Sequence, residues 1–289
     1  MPNNYKTGSQ ARFFFIFEKK LYPMKIFVKF FTILTISSLV FACTHDHQHP
    51  HHPGMNPTLY ATLYQQQAAE YRALCYQAYN LADLYLAEAL KNKYAKPLAI
   101  VTDIDETILD NSPYQAAAIL GNFGYPTRWA DWMNAADAWA IPGSVEFLKK
   151  AAEAGVTIFY ISNRKEEFRQ PTLQNLEKLG FPNVADQYLL LRQEGEGNEK
   201  ESRRQKIAEQ FEVVLLLGDN LDDFSGVFEV DDAGERMLQA DLNRAFFGQK
   251  FIIVPNAVYG SWVNVLPGNQ HGLPAEVVAD SLLKGLMPF

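Results

Sequence analysis

The stretch Ala99-Ile100-Val101-Thr102-Asp103-Ile104-Asp105-Glu106-Thr107 constrains this chain more than any other. It opens as an apolar, β-branched run, which suits a strand buried on both faces of a parallel sheet. It closes with two carboxylates one residue apart. Alternate residues of a strand share a face, so Asp103 and Asp105 point the same way. At the carboxyl end of a strand in an open α/β sheet, that face borders the ligand crevice. Two carboxylates there repel one another unless a cation sits between them or one of them holds a proton. A strand end that merely caps the next helix through Asp and Thr accounts for one aspartate, not for both.

The remaining pattern agrees with such a sheet. Strands are expected at 156–161, 188–191, 213–217 and 251–254. Helices are expected at 144–154, 166–179, 199–210, 235–246 and 275–284. Gly155 and Gly180 stop two of those helices, and Ser144 caps the first. Strands alternating with helices predict a doubly wound, Rossmann-like α/β fold. Before the first strand, residues 58–93 lack Gly and Pro, and Leu63, Tyr71, Leu74, Ala78, Leu81 and Tyr85 recur at helical spacing. They predict one or two amphipathic helices, with Cys75 in the core rather than reactive. Residues 110–141 read as an irregular insert containing three tryptophans, Trp129, Trp132 and Trp139.

The run Asp103 to Tyr114, DIDETILDNSPY, resembles the class C acid phosphatases of the haloacid dehalogenase superfamily. These are bacterial outer-membrane lipoprotein phosphatases that cleave nucleoside monophosphates. Three later motifs are similar to that family's as well. Ser162, in Tyr160-Ile161-Ser162-Asn163-Arg164, falls at the second-motif hydroxyl, although a helix cap is the plainer reading of a lone Ser. Lys200, in Lys200-Glu201-Ser202-Arg203, falls at the third-motif lysine. Gly218-Asp219-Asn220-Leu221-Asp222-Asp223-Phe224 matches the fourth, with Asp223 at the family's fourth aspartate and Asp222 left to cap a turn.

The resemblance implies a cap over the site grown from the insert, and a Mg²⁺-dependent phosphomonoesterase acting through an aspartyl-phosphate. Asp103 would attack phosphorus. Asp105 would hold a proton for the leaving oxygen and then activate water, which implies an acidic optimum. Ser162 and Lys200 would meet the phosphoryl oxygens. Asp103, the Asp105 backbone carbonyl and Asp219 would hold Mg²⁺, with Asp223 supporting lysine and metal. The family clamps its nucleobase between two rings, and Trp129 and Tyr259 fall at those positions. Asn163 is a further substrate-binding candidate. Class C relatives are often dimers, which leaves a homodimer open here. Two other readings are a non-catalytic surface lipoprotein that binds nucleotide or metal, and a phosphotransferase on the same fold.

The N-terminal region carries its own signals. Lys25 and Lys29 precede a mostly apolar run over 30–41, and Val40-Phe41-Ala42-Cys43 resembles a lipobox. Residues 1–42 therefore read as a secretory signal with its true start at Met24. Lipidated Cys43 would tether an outer-membrane lipoprotein; the alternative is an ordinary signal cleaved nearby. Residues 43–57 read as a His- and Pro-rich tether, and 58–289 as the phosphatase domain. Five of the six histidines fall in that tether, a solvated spacer that can also capture transition metals. The chain carries a net charge of −7; beyond residue 42 it holds 20 basic and 32 acidic residues, a net −12. Such a surface argues against a nucleic-acid polymer as partner. Two cysteines make no disulfide framework.

Overall fold

The computed structural model describes residues 56–266 and 282–289. Its strands are Leu98–Thr102 (β1), Leu109–Asp110 (β2), Trp139–Ala140 (β3), Thr157–Lys165 (β4), Leu189–Arg192 (β5), Glu212–Gly218 (β6) and Phe251–Ile253 (β7). Its helices are Leu59–Gln67 (α1), Ala69–Ala89 (α2), Ser112–Gly121 (α3), Trp129–Ala135 (α4), Ser144–Glu153 (α5), Arg169–Leu179 (α6), Glu201–Gln210 (α7), Ala233–Leu242 (α8) and Ser261–Asn264 (α9).

Five strands form one sheet in the order β5-β4-β1-β6-β7, every pair parallel. β1 is central, with Val101 opposite Phe159 of β4 and Leu216 of β6. The chain moves outward through β4 to β5 and then returns to lay β6 and β7 on the other side of β1. That reversal opens a crevice beyond the carboxyl ends of β1 and β6.

Both faces of the sheet are covered, which is why its strands read as continuous apolar runs. Ile100 packs in one core with Ile158, Tyr160, Leu215 and Leu217. Its neighbours Ala99 and Val101 pack in another with Phe159, Ile161 and Leu216. α2, α5 and α6 supply Ala82, Leu148 and Leu176 to the first core, all fully buried. Burying each of the two leucines stabilises the fold by about 1.5–3 kcal/mol. Ile207 of α7 and an aromatic group close the second core; within that group the Phe224 and Phe251 rings stack 5.0 Å apart.

Several expected boundaries move. Two N-terminal helices form, but the buried face of α2 is Tyr71, Cys75, Ala78, Tyr79, Ala82 and Leu86, while Leu63, Leu74 and Leu81 are exposed. On that inner face Cys75, Ala78 and Ala82 alternate with the large Tyr71, Tyr79 and Leu86. The insert is not irregular. Pro113 sits in the first turn of α3 with its φ preset for a helix, and Asn122 ends that helix in a left-handed conformation. Trp129 opens α4 instead of lying in a loop. β2 and β3 pair antiparallel and tie the two ends of the insert together. β4 runs four residues beyond its expected end, and the helix expected from Glu166 begins as a 3₁₀ turn before α6. Cys43, the signal region and nearly all of the tether lie outside the described residues, as does most of the helix expected at 275–284. No described helix is long and apolar enough to cross a membrane.

Candidate active site

Four of the five expected catalytic groups, together with Asp219, open into one cavity of about 640 Å³ at the carboxyl end of the sheet: Asp103, Asp105, Lys200 and Asp223. Asp103 follows β1 directly, and its N–H donates to the Leu217 carbonyl of β6 at 2.9 Å. The backbone is therefore fixed where Asp103 leaves the strand. Lys200 caps the start of α7. Its Nζ donates to Asp103 Oδ1 and, at 2.6 Å, to Asp223 Oδ1. Asp223 ends a 3₁₀ turn, and its other oxygen accepts from the Asn220 N–H at 3.0 Å. A Cβ on Gly218 would lie 2.4 Å from that of Asp223, so glycine is what lets this carboxylate fold back over the end of β6.

Asp219 follows β6 and faces Asp103. The Thr107 hydroxyl lies 3.2 Å from both Asp103 Oδ2 and Asp219 Oδ1, and its one proton serves a single carboxylate at a time. Asn256 donates to Asp219 Oδ2 at 2.7 Å. Burial raises Asp103 to about 7, against the pull of Lys200 and with the push of Asp223 and Asp105. Asp219 is driven well up by burial and by the charges of Asp223 and Asp103, against the Asn256 hydrogen bond. Burial also works against the Lys200 charge, but Asp103 and Asp223 outweigh it and raise its pKa.

Asp105 has a different environment. Arg164, 5% exposed, places Nε and Nη2 at 3.0 and 2.8 Å from Asp105 Oδ1. Ser162 Oγ donates to Oδ2 at 3.0 Å and Asn111 Nδ2 to Oδ1 at 2.8 Å. Burial opposes the charge, yet Arg164 and these donors hold the carboxyl below its usual range. The structure thus presents Asp105 ionised, the form suited to activating water, whereas the sequence reading gave it a proton at the outset. The Ser162 hydroxyl, expected at a phosphoryl oxygen, is fully buried and engaged with Asp105.

The aromatic candidates also reach the cavity. Trp129 and Tyr259 line it, and so do Tyr114 and Tyr125, which the sequence reading passed over. Trp129 meets the edges of those two tyrosines at centroid distances of 5.0 and 5.7 Å. Asn163 lines the cavity too, donating to the Asn198 carbonyl at 2.8 Å and accepting from Arg203 at 2.6 Å.

Arg164, Asn111 and Asn256 were missed as site residues. For Arg164 a signal existed: it lies two residues beyond Ser162 on one strand, hence on the same face. Asn256 offered no such local sign.

Carboxylate oxygens of Asp103, Asp219 and Asp223 lie within 4.8 Å of one another. Oxygen donors gathered in a buried crevice suit a hard divalent cation, so this cluster could hold a metal ion. Both Asp223 oxygens are engaged by Lys200 and Asn220, while Asp103 and Asp219 share the single Thr107 proton, which leaves one of those two with an unengaged oxygen at any moment.

A parallel sheet that delivers these carboxylates and a lysine to one crevice defines a haloacid dehalogenase-type hydrolase. The chain belongs to the HAD superfamily, subfamily IIIB (acid phosphatase), whose family model matches residues 46–262. It is similar to the class C acid phosphatase from Bacillus anthracis in its tungstate-bound structure, with 41% identity and a TM-score of 0.78 over 80% of this chain and 97% of that one. A second structure of that protein gives a TM-score of 0.77 at the same identity and coverage. More distant relatives are Acid phosphatase 1 of Solanum lycopersicum, 26% identical over 134 residues, and a stem 31 kDa glycoprotein of Glycine max, 29% identical over 130 residues. The matched regions cover 44% and 43% of this chain; the chain spans about half the length of these curated relatives.

Proposed function

We propose that this protein is a Mg²⁺-dependent acid phosphatase that hydrolyses phosphomonoesters, nucleoside monophosphates and aromatic phosphates among them, through an aspartyl-phosphate on Asp103. One observation carries the reading: Lys200 lies between Asp103 and Asp223, with Asp219 in the same cluster. A site built only to bind a nucleotide has no use for a carboxylate aimed at phosphorus beside a second, separately clamped carboxylate. The related Bacillus anthracis enzyme was solved with tungstate, a tetrahedral oxyanion, which fits a phosphoryl pocket.

Asp103 and Asp219, with the Asp105 carbonyl, would hold the metal, which neutralises phosphoryl charge when bound. Lys200 offers a fixed positive charge to the equatorial oxygens as they approach. Asp103, which Lys200 and a bound metal would hold in its ionised form, attacks, and the leaving oxygen takes a proton from Asp105. Because Arg164 keeps Asp105 ionised in the free protein, that proton must arrive with the substrate. A phosphomonoester loses its second proton near pH 6, so a singly ionised ester can bring one. Asp105, ionised again under the Arg164 clamp, then activates water against the acyl phosphate. Trp129 and Tyr259 supply faces on which a base or aromatic leaving group can stack.

Steady-state hydrolysis of p-nitrophenyl phosphate and AMP tests this. Turnover should vanish in EDTA and return with Mg²⁺. Mg²⁺ should also raise the melting temperature of the wild-type protein, but not that of Asp219→Asn. Full activity in EDTA would refute the metal assignment.

The same reading places the protein at the cell envelope through a lipid on Cys43. Cys43→Ser should move it from the membrane to the soluble fraction, since the lipid would attach only through that sulfur. Equal partition of both forms would exclude lipidation at that sulfur.

A further inference from the structure

Glu106 follows the paired aspartates, yet it takes no part in the scheme above and does not line the cavity. It is 1% exposed and its backbone is left-handed, with φ 62°. A buried carboxylate in that conformation is costly unless surrounding groups hold it. Its partners here are few and specific. Oε1 accepts from the Asn111 N–H at 2.9 Å and from Gln65 Nε2 at 3.5 Å. Oε2 accepts from Asn111 Nδ2 at 3.0 Å and from the Tyr259 hydroxyl, which arrives from the far end of the described chain.

Both partners lead to the site. Asn111 gives its side-chain amide to Asp105 as well as to Glu106, and its oxygen accepts from Trp132 Nε1 of α4 at 2.8 Å. The helix that carries Trp132 also carries Trp129. Tyr259 forms a wall of the cavity and is tied at its hydroxyl to Glu106. One buried carboxylate therefore joins the Asp105 clamp, the helix bearing one aromatic wall and the ring forming the other.

We propose that Glu106 is a positioning residue that sets substrate choice: it fixes the Tyr259 ring in the cavity wall, and through Asn111 it fixes the carboxylate of Asp105. The proposal rests on the phosphatase reading given above. Its two arms act on different kinetic constants. The Tyr259 arm acts on binding of esters whose leaving group can stack. The Asn111 arm acts on the chemical step for every ester.

A double-mutant cycle of Glu106→Met and Tyr259→Phe tests it, with p-nitrophenyl phosphate and glycerol phosphate as substrates and the melting temperature of all four forms as a substrate-free readout. Tyr259→Phe removes one hydrogen bond and should raise KM for the aromatic ester by about 2- to 10-fold, and KM for glycerol phosphate less. Glu106→Met should show the same KM rise and also lower kcat for both esters by about 10-fold or more, because a thioether of similar length leaves both the Tyr259 hydroxyl and the Asn111 amide without their acceptor. In the double variant the KM rise should match that of either single variant, since both remove one shared contact. The shifts in melting temperature should likewise fail to add.

KM effects that multiply, or equal losses for both esters in Tyr259→Phe, would overturn the proposal. Should Glu106→Met not fold, an unchanged KM for the aromatic ester in Tyr259→Phe overturns it alone. Absence of turnover by the wild-type protein would refute the phosphatase reading. The melting cycle would still decide whether Glu106 and Tyr259 act as a unit.

Discussion

Asp103→Asn is expected to fold, to bind metal more weakly and to lose turnover by about 10⁴-fold or more, since an amide of nearly the same shape is a poor nucleophile. The loss should appear with every phosphate ester, because the proposed mechanism assigns attack on phosphorus to Asp103 alone. Stability should move the other way. Asp103 is buried beside two further carboxylates, and burial with those neighbours pushes its pKa to about 7. Removing its charge relieves that repulsion, while Lys200 keeps Asp223 as a partner. The metal-free variant should melt at or above the wild-type temperature. A folded Asp103→Asn protein with near wild-type turnover would rule out an aspartyl-phosphate.

Asp105→Asn should produce a different failure. Proton transfer by a positioned carboxyl contributes about 10²- to 10⁴-fold, and the steady-state rate should fall within that range. p-Nitrophenolate leaves without needing a proton, so attack by Asp103 on p-nitrophenyl phosphate should survive better than hydrolysis of the acyl phosphate. Rapid mixing should then show a burst of about one equivalent of p-nitrophenolate followed by slow turnover. An ester with an alkoxide leaving group should show no burst. Asp103→Asn should give none with either. A strictly linear time course for Asp105→Asn with p-nitrophenyl phosphate would mean that Asp105 acts only in the first step.

The strands themselves and the place of the crevice were legible because both rest on patterns within single elements; the order of the strands, which depends on pairing between elements, was not. Apolar runs ending in Asp103 and Asp219 mark the two strand ends, and the structure pairs those strands directly. Lys200 could be placed by its motif, and it does lie between two of the aspartates. Protonation was not legible. Asp103 and Asp105 look alike in sequence, but Lys200 and crowded carboxylates surround one while Arg164 grips the other. That difference comes from β4 and α7, elements far away along the chain. The helical character of the insert was obscured by its tryptophans. Asn111, Asn256 and Glu106 act through contacts made between segments, and no local periodicity announces them.

The central place of β1 bears on how the site comes into being during synthesis. The ribosome releases Asp103 and Asp105 first, then Arg164, then Lys200, and only afterwards Asp219 and Asp223. Lys200 therefore leaves the ribosome before Asp223, the second carboxylate it pairs with, whereas Arg164 follows its partner Asp105. β4 and β5 can pair on one flank of β1 while β6 is still to be made, because domains assemble from the N-terminus as the chain grows. In the emerging polypeptide the acidic cluster closes only when β6 docks on the other flank, with lysine and arginine already made. A circular permutant that begins at β6 would reverse that schedule, bringing Asp219 and Asp223 out ahead of Arg164 and Lys200.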